Sequence, residues 1–264
     1  PSSGCRRPEP NVTPLDRIAI ISDIHGNLPA LEAVLADIAA RGITRIYGLG
    51  DLAGKGPDGA AVIDISRRVC VATVQGNWDE SLANAEPDAT VVWHRRQLGP
   101  ARLAWLRELP GTVDFRLSGR QVRLFHASQR GVYHRVRQYD GHDAHLQMFD
   151  NTDFTGHGAV PDIVGYGDVH TAYVKSFANK CLFNAGSVGN PLDLPLACYA
   201  VLEGHFDSPE AGPWTVSLIR LPYDVEASIR QAEASGMPDL EHYINELRTA
   251  RYRGLTPKPA PVAG

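Results

Sequence analysis

The chain first turns apolar at Ile18-Ala19-Ile20-Ile21, a continuous β-branched run of the kind that forms a strand buried on both faces. Leu28, Leu31, Leu35 and Ile38 follow at spacings of three and four, with Pro29 in the first turn and Gly42 as the stop, which predicts a helix. Ile43 to Leu49 reads as the next strand, Gly59 to Arg67 as a helix and Val69 to Val74 as a third strand. This alternation predicts an α/β layer. Ser81 to Leu109 is helical by pattern, with Leu98, Leu103, Trp105, Leu106 and Leu109 as candidate buried positions.

After Leu109 the texture changes to short runs broken by Gly and Asn. Thr112 to Leu117, Gln121 to Phe125, Ile163 to Tyr166, Ala172 to Phe177, Lys180 to Asn184, Cys198 to Glu203 and Trp214 to Leu221 all read as strands. Residues 130–161 are polar, rich in Tyr, His and Asp, and without period, which predicts a long loop or small cap over a site. Residues 224–253 read as a C-terminal helix or helix pair. The expected organisation is a single domain over residues 17–253, with disordered segments at 1–16 and 254–264.

Composition leaves that picture standing. With 264 residues, 43% hydrophobic and 21% charged, the chain is ordinary globular material. A single core at this length buries roughly three quarters of the unfolded surface, so no disulfide or structural metal is needed merely to fold. Lys and Arg number 26 against 30 Asp and Glu, a formal charge of -4. That excludes a global positive field that would recruit nucleic acid or an anionic membrane, so any phosphate recognition is local. Cys5, Cys70, Cys181 and Cys198 form no CxxC pair, which argues against a zinc ribbon or redox pair. There is no signal-like apolar region and no run long enough for a membrane span, which predicts a cytoplasmic protein.

The chemistry gathers at the ends of the expected strands. Asp23-Ile24-His25 follows the first strand, Gly50-Asp51 the second and Gly76-Asn77 the third, while His126 ends the strand at Phe125 and Gly167-Asp168-Val169-His170 follows Tyr166. Loops at the carboxyl ends of strands in α/β sheets converge on one edge, so these side chains can meet there. Carboxylate, carboxamide and imidazole together suit Mn, Fe, Zn or Ni. Seven ligands exceed one ion's needs and suggest two ions roughly 3.5–4 Å apart, the spacing that activates hydroxide and clamps a phosphoryl group. Any one fragment alone is explained by a strand-ending turn. Five such fragments at five strand ends are not.

These residues resemble the calcineurin-like metallophosphoesterases, whose signature runs DxH, GDxxxxG, GNHD or GNHE, an isolated His, then GHxH. Here it reads Asp23-Ile-His25-Gly-Asn27, Gly50-Asp51-Leu-Ala-Gly-Lys55-Gly-Pro, Gly76-Asn77-Trp78-Asp79, Phe125-His126-Ala and Gly167-Asp168-Val-His170, covering residues 17 to about 222. The stretch Asn184-Ala-Gly-Ser-Val-Gly-Asn-Pro191 is similar to the loop after the last ligand in smaller bacterial members. The resemblance implies a four-layer αββα sandwich with a dinuclear metal centre. It implies Asp23, His25 and His170 on one ion, Asn77, His126 and Asp168 on the other, and Asp51 bridging. Asp51, Asn77 and His126 are the candidate catalytic cage, and the implied reaction is hydrolysis of a phosphodiester or phosphoanhydride by a metal-bridging hydroxide. The expected partner is a small phosphoester such as a nucleotide or dinucleoside polyphosphate, with neither membrane nor stable nucleic-acid binding. A serine/threonine-type protein phosphatase and a non-catalytic metal-dependent interaction module are the alternatives.

Two positions depart from the signature. Trp78 stands where many members have a His thought to protonate the leaving group, and indole cannot shuttle a proton near neutral pH. That favours substrates whose leaving group needs little help. Asp168 stands where His is usual, and an added carboxylate favours Mn or Fe over Zn. The rival reading leaves Asp168 outside the ligand set and the second site weak or empty. Lys55 is a candidate phosphate contact in its Gly-rich loop, and Asn27 another at a helix N-terminus. His134, His142, His145 and His157 read as solvated loop residues or as sources of the missing acid. Tyr133, Tyr139 and Phe149 read as nucleobase platforms or as anchors of the loop.

Overall fold

A computed structural model describes residues 14–84 and 88–253. The disorder expected of residues 1–13 and 254–264 lies outside them. Strand β1 (Asp16–Ile21) starts one residue before the expected boundary and alternates as a two-faced strand must. Ile18 and Ile20 enter one apolar cluster, and Ala19 and Ile21 another. Helix α1 (Leu28–Ala40) follows, capped by Asn27, with Leu31, Val34 and Ile38 buried. Then come β2 (Arg45–Gly48), α2 (Gly59–Val69) and β3 (Ala72–Thr73), the three strands pairing in parallel order. The third strand is shorter than expected because α2 continues through Val69 and β3 is an edge strand, paired on one side only. The helical stretch divides into α3 (Asn77–Asn84) and α4 (Ala89–Arg107), the latter kinked where Gly99, at φ 70°, precedes Pro100.

The remaining strands are β4 (Thr112–Leu117), β5 (Arg120–Phe125), β6 (Ile163–Tyr166), β7 (Tyr173–Phe177), β8 (Lys180–Asn184), β9 (Ala197–Gly204) and β10 (Thr215–Leu221), each at or within a residue or so of its expected place. They complete two mixed sheets, ordered β10-β9-β1-β2-β3 and β4-β5-β6-β8-β7. Ile18, Ile20, Ala200 and Leu202 of the first meet Val122, Leu124, Ile163 and Phe183 of the second, so the main core lies between the sheets. On the outer face of the first sheet, Ala19, Ile21, Tyr199 and Val201 pack against α1, α2 and α4.

On the outer face of the second sheet, Val164, Tyr166 and Leu182 are covered by Val136, Met148 and Phe149. The expected αββα order is therefore present. Its fourth layer is thin, built from loop and the six-residue helix α5 (His142–Gln147) inside residues 130–161. That segment is a packed layer with its own buried residues. The C-terminal part is a helix pair, α6 (Val225–Ser235) and α7 (Leu240–Thr249), joined through Ile229, Met237, Tyr243 and Leu247, with Trp93 of α4 against them.

Candidate metal centre

The carboxyl ends of both sheets meet at one edge. The Asp23 amide donates to Gly50 O at 3.1 Å, Gly167 N to His126 O at 2.8 Å and Asp168 N to Asp23 Oδ2 at 3.0 Å, so loops from β1, β2, β5 and β6 are bonded to one another. Asp23, His25, Asp51, Asp168 and His170 all have left-handed backbone, with φ between 51° and 63°. Such conformations are uncommon outside glycine and concentrate where surrounding structure fixes a functional turn. Here the turns direct side chains into the crevice between the sheets. Two glycines permit that approach. A Cβ at Gly76 would lie 2.2 Å from Asp51 Oδ1, and one at Gly167 would lie 2.0 Å from Ser22 Oγ and 2.5 Å from Asp23 Oδ2.

All seven candidate ligands come together. Asp23 Oδ1 lies 3.1 Å from His170 Nε2 and 3.7 Å from His25 Nε2. The Asp51 carboxylate reaches both ways, with Oδ2 3.6 Å from His25 Nε2 and Oδ1 3.5 Å from His126 Nε2. His126 Nε2 is 3.0 Å from Asn77 Oδ1 and 3.8 Å from Asp168 Oδ1. Two buried triads have ligand atoms close enough to share an ion, Asp23 with His25 and His170, and Asp23 with Asp51 and His126. Asp23 belongs to both. Asp168 is in neither; its carboxylate is held in a fork by Arg135, with both bonds at 2.7 Å.

The hydrogen bonding behind these atoms shows what the cluster accommodates. His126 Nδ1 donates to Leu49 O and His170 Nδ1 to Asn190 O. A carbonyl can only accept, so each ring carries a proton on Nδ1 and turns Nε2 toward the cluster, where it offers a lone pair once any second proton is displaced. The His25 and His170 Nε2 atoms face each other at 3.1 Å, and Asp23 Oδ1 is buried with no hydrogen-bond donor among the described residues. Imidazole nitrogens and carboxylate oxygens converge there, an arrangement suited to cations. The oxygen and imidazole donor set fits divalent transition metals.

Electrostatics show the same surplus of negative charge. Burial pulls the His126 imidazole down, but Asp51, Asp23 and Asp168 outweigh it and lift its pKa to about 9. Burial lowers His25 to about 3. It also raises the Asp51 carboxyl well above the ordinary range, helped by the neighbouring Asp23 and Asp79 charges.

Above the cluster opens a cavity of about 760 Å³, whose floor includes Asp51, Asn77, Asp168 and His170. Its size is that of a small-ligand site. Lys55 lines it, with Nζ donating to Asn190 Oδ1 at 2.6 Å and lying 3.5 Å from Glu246 Oε2. Trp78 lines it too, its amide donating to Asp51 Oδ1 at 2.8 Å and its ring set edge-on to His25. Asn27 has a different place. Its Oδ1 caps α1 by accepting from Ala30 N and also accepts from Ser228 Oγ, while Nδ2 donates to Gly189 O and Tyr223 Oη. Each polar atom of its side chain is thus bonded to the fold, and the cavity lining does not include it.

Of the loop histidines and aromatic residues singled out above, Tyr139 lines the cavity. Phe149 is core, Tyr133 bonds Glu80, and His145 is buried against the carbonyls of Arg137 and Gly141. His134 pairs with Ser128, His157 with Asp153, and His142 lies near Phe177. Sequence reasoning missed Arg135, whose role depends on a partner 33 residues away. It also gave no role to Asp79, although the fragment Gly76-Asn77-Trp78-Asp79 contains it. The Asp79 carboxylate accepts from the amides of Asp51, Leu52 and Gly76 and so fixes the Asp51 loop.

A family model for the calcineurin-like phosphoesterase superfamily domain matches residues 17–205. An uncharacterized protein of Methanocaldococcus jannaschii is 28% identical over 237 residues, covering 84% of this chain and 94% of that one. Two solved structures share the fold. One is a metallophosphoesterase from Sphaerobacter thermophilus, with a TM-score of 0.71 and 24% identity, covering 89% of this chain and 99% of that one. The other is a hypothetical protein from Pyrococcus horikoshii OT3, with a TM-score of 0.70 and 17% identity, covering 88% of this chain and 97% of that one.

Proposed function

The chain belongs to the calcineurin-like phosphoesterase superfamily, and from that premise we propose that it hydrolyses a small phosphodiester or phosphoanhydride of nucleotide type at the cluster beneath its cavity. It is a metal-dependent hydrolase of phosphoric esters. The finer reading places Asp23, His25 and His170 around one ion and Asp51, Asn77 and His126 around a second, with Mn or Fe favoured. The observation that carries it is the convergence of imidazole nitrogens and carboxylate oxygens at the floor of a small cavity. Bound there, divalent ions supply an activated water and positive charge for the phosphoryl oxygens.

The chain's own residues do the rest. Leu49 O and Asn190 O fix the rings of His126 and His170 with Nε2 facing inward. Asp79 and the Trp78 amide hold the Asp51 carboxylate where it reaches both imidazole groups. Arg135 neutralises Asp168 and lines the cavity wall. The cavity's walls favour a small substrate over a phosphoprotein, which needs an open groove. The test is hydrolysis of bis-p-nitrophenyl phosphate by metal-stripped protein, with and without added Mn, beside Asp51→Asn. Turnover should require the metal and fall by on the order of 100-fold or more in the variant. Metal binding without turnover of any phosphoester would favour the non-catalytic module.

A further inference from the structure

The cavity is far larger than a single phosphoryl group, and its outer walls come from two segments distant in sequence. One runs from Arg135 to Tyr139, between β5 and α5, and the other from Ala250 to Arg253, after α7. The second lies beyond the residues matched by the family domain, which end at 205. The walls are cationic on a chain whose formal charge is -4. Some of that charge is committed. Arg135 binds Asp168, and Arg253 pairs with Asp239 and Glu246. Arg137 and Arg251 differ, since neither guanidinium has an ion pair among the described residues although both line the cavity. Two exposed rings share these walls. Tyr139 is 81% exposed, and Tyr252 is 44% exposed with its ring centroid 5.9 Å from Lys55 Nζ.

Unpaired arginines beside exposed aromatic rings form a binding surface for a planar anion, because guanidinium forks match phosphate oxygens and tyrosine faces stack on heterocycles. We propose that Arg137, Arg251, Tyr139 and Tyr252 form an outer subsite that takes the second phosphate and the base of a nucleoside polyphosphate, while its reacting phosphate lies over Asp51 and Asn77. This rests on the hydrolase reading and deepens it by naming the substrate class. A substrate with one phosphate and no ring system leaves the outer subsite empty.

The test separates the two readings. ADP and inorganic phosphate are each titrated calorimetrically into the full Mn-loaded chain, for wild type, Arg137→Ala/Arg251→Ala and Tyr139→Ala/Tyr252→Ala. The expected result is ADP binding weakened about tenfold or more by either double variant, with phosphate binding affected far less. In turnover, the kcat/KM ratio of diadenosine tetraphosphate to bis-p-nitrophenyl phosphate should fall by about the same factor, through KM. ADP affinity within about twofold of wild type in both variants overturns the subsite, as does an equal loss of ADP and phosphate affinity. Selective ADP binding without hydrolysis of either substrate would keep the subsite and overturn the hydrolase reading.

Discussion

Trp78 shows how much one side chain can decide about substrate. Its indole sits at the cavity floor beside His25. It also covers Gly54, where an added Cβ would lie 2.3 Å from the ring. Indole has one N–H donor and no proton to give near neutral pH, so the leaving group departs without help from this position. Rate should then depend steeply on leaving-group acidity. Trp78→His introduces a proton donor whose contribution in other sites is about 100-fold or more for poor leaving groups and small for good ones. The expected outcome is a shallower dependence of kcat/KM across aryl phosphodiesters of graded phenol acidity. An unchanged slope with an intact metal content would show that the proton comes from elsewhere. His94, edge-on to Trp78 and lowered to about 4 chiefly by burial, is largely neutral at pH 7.

At the scale of elements, α7 contributes to the site through one buried carboxylate. Glu246 lies 3.5 Å from Lys55 Nζ, accepts from Asn190 Nδ2 at 3.1 Å and pairs with Arg253 at 3.1 Å, while the Asn190 carbonyl orients His170. Burial raises the Glu246 carboxyl, but Lys55 and Arg253 outweigh it and take the pKa from 4.5 to about 2. A depressed carboxyl stabilises the fold above the unfolded value of 4.5, and that stability is lost as pH falls from there through about 2. Glu246→Gln should therefore cost about 3 kcal/mol at pH 7 and progressively less below pH 4, read by urea unfolding at each pH. A penalty constant with pH would mean that shape, not charge, is what α7 supplies. This contact also shows where sequence reading stops. Asp23, His25, Asp51, Asn77, His126 and His170 were legible because each follows a recognisable strand and is a residue type with metal-binding chemistry. α1 was legible from its period, and β1, β6 and β8 as short apolar runs. Glu246 and Arg135 carry no local signal, since their partners are 191 and 33 residues away, and the loop at residues 184–191 was legible without its Asn190 contact to His170, 20 residues away. Asn27 misled because a helix N-terminus attracts phosphate and caps equally well. The boundary of β3 was misplaced because Val69 and Cys70 suit a helix end as well as a strand, while the thin cap resisted assignment because its core residues follow no single period.

For the whole molecule, the candidate metal centre is where loops from the two sheets bring several carboxylates together. Loops from both sheets bring Asp23, Asp51 and Asp168 into one crevice, and among the described residues only Asp168 of the three has an arginine partner. Without metal that charge is balanced by protons, on the raised His126 imidazole and the raised Asp51 carboxyl, which bound cations would displace. Cations should therefore act as a clasp between the sheets as well as a catalytic group. Metal at about 100 times its dissociation constant would add about 2.7 kcal/mol, or a rise of roughly 5–10 °C in Tm for a chain of this size. The measurement is thermal unfolding after chelation and after Mn is restored. Asp23→Asn sharpens it, because Asp23 belongs to both candidate triads and asparagine tolerates its left-handed backbone at φ 52°. Burial raises the Asp23 carboxyl, but His170 and His25 outweigh it and hold it well below the usual carboxylate range. Removing its charge should therefore lower the metal-free Tm while most of the metal-dependent rise disappears. A variant that loses stability equally with and without metal would assign Asp23 to the hydrogen bonds it accepts from Ser22 and Asp168, and the clasp would then have to be sought in the Asp51 loop instead.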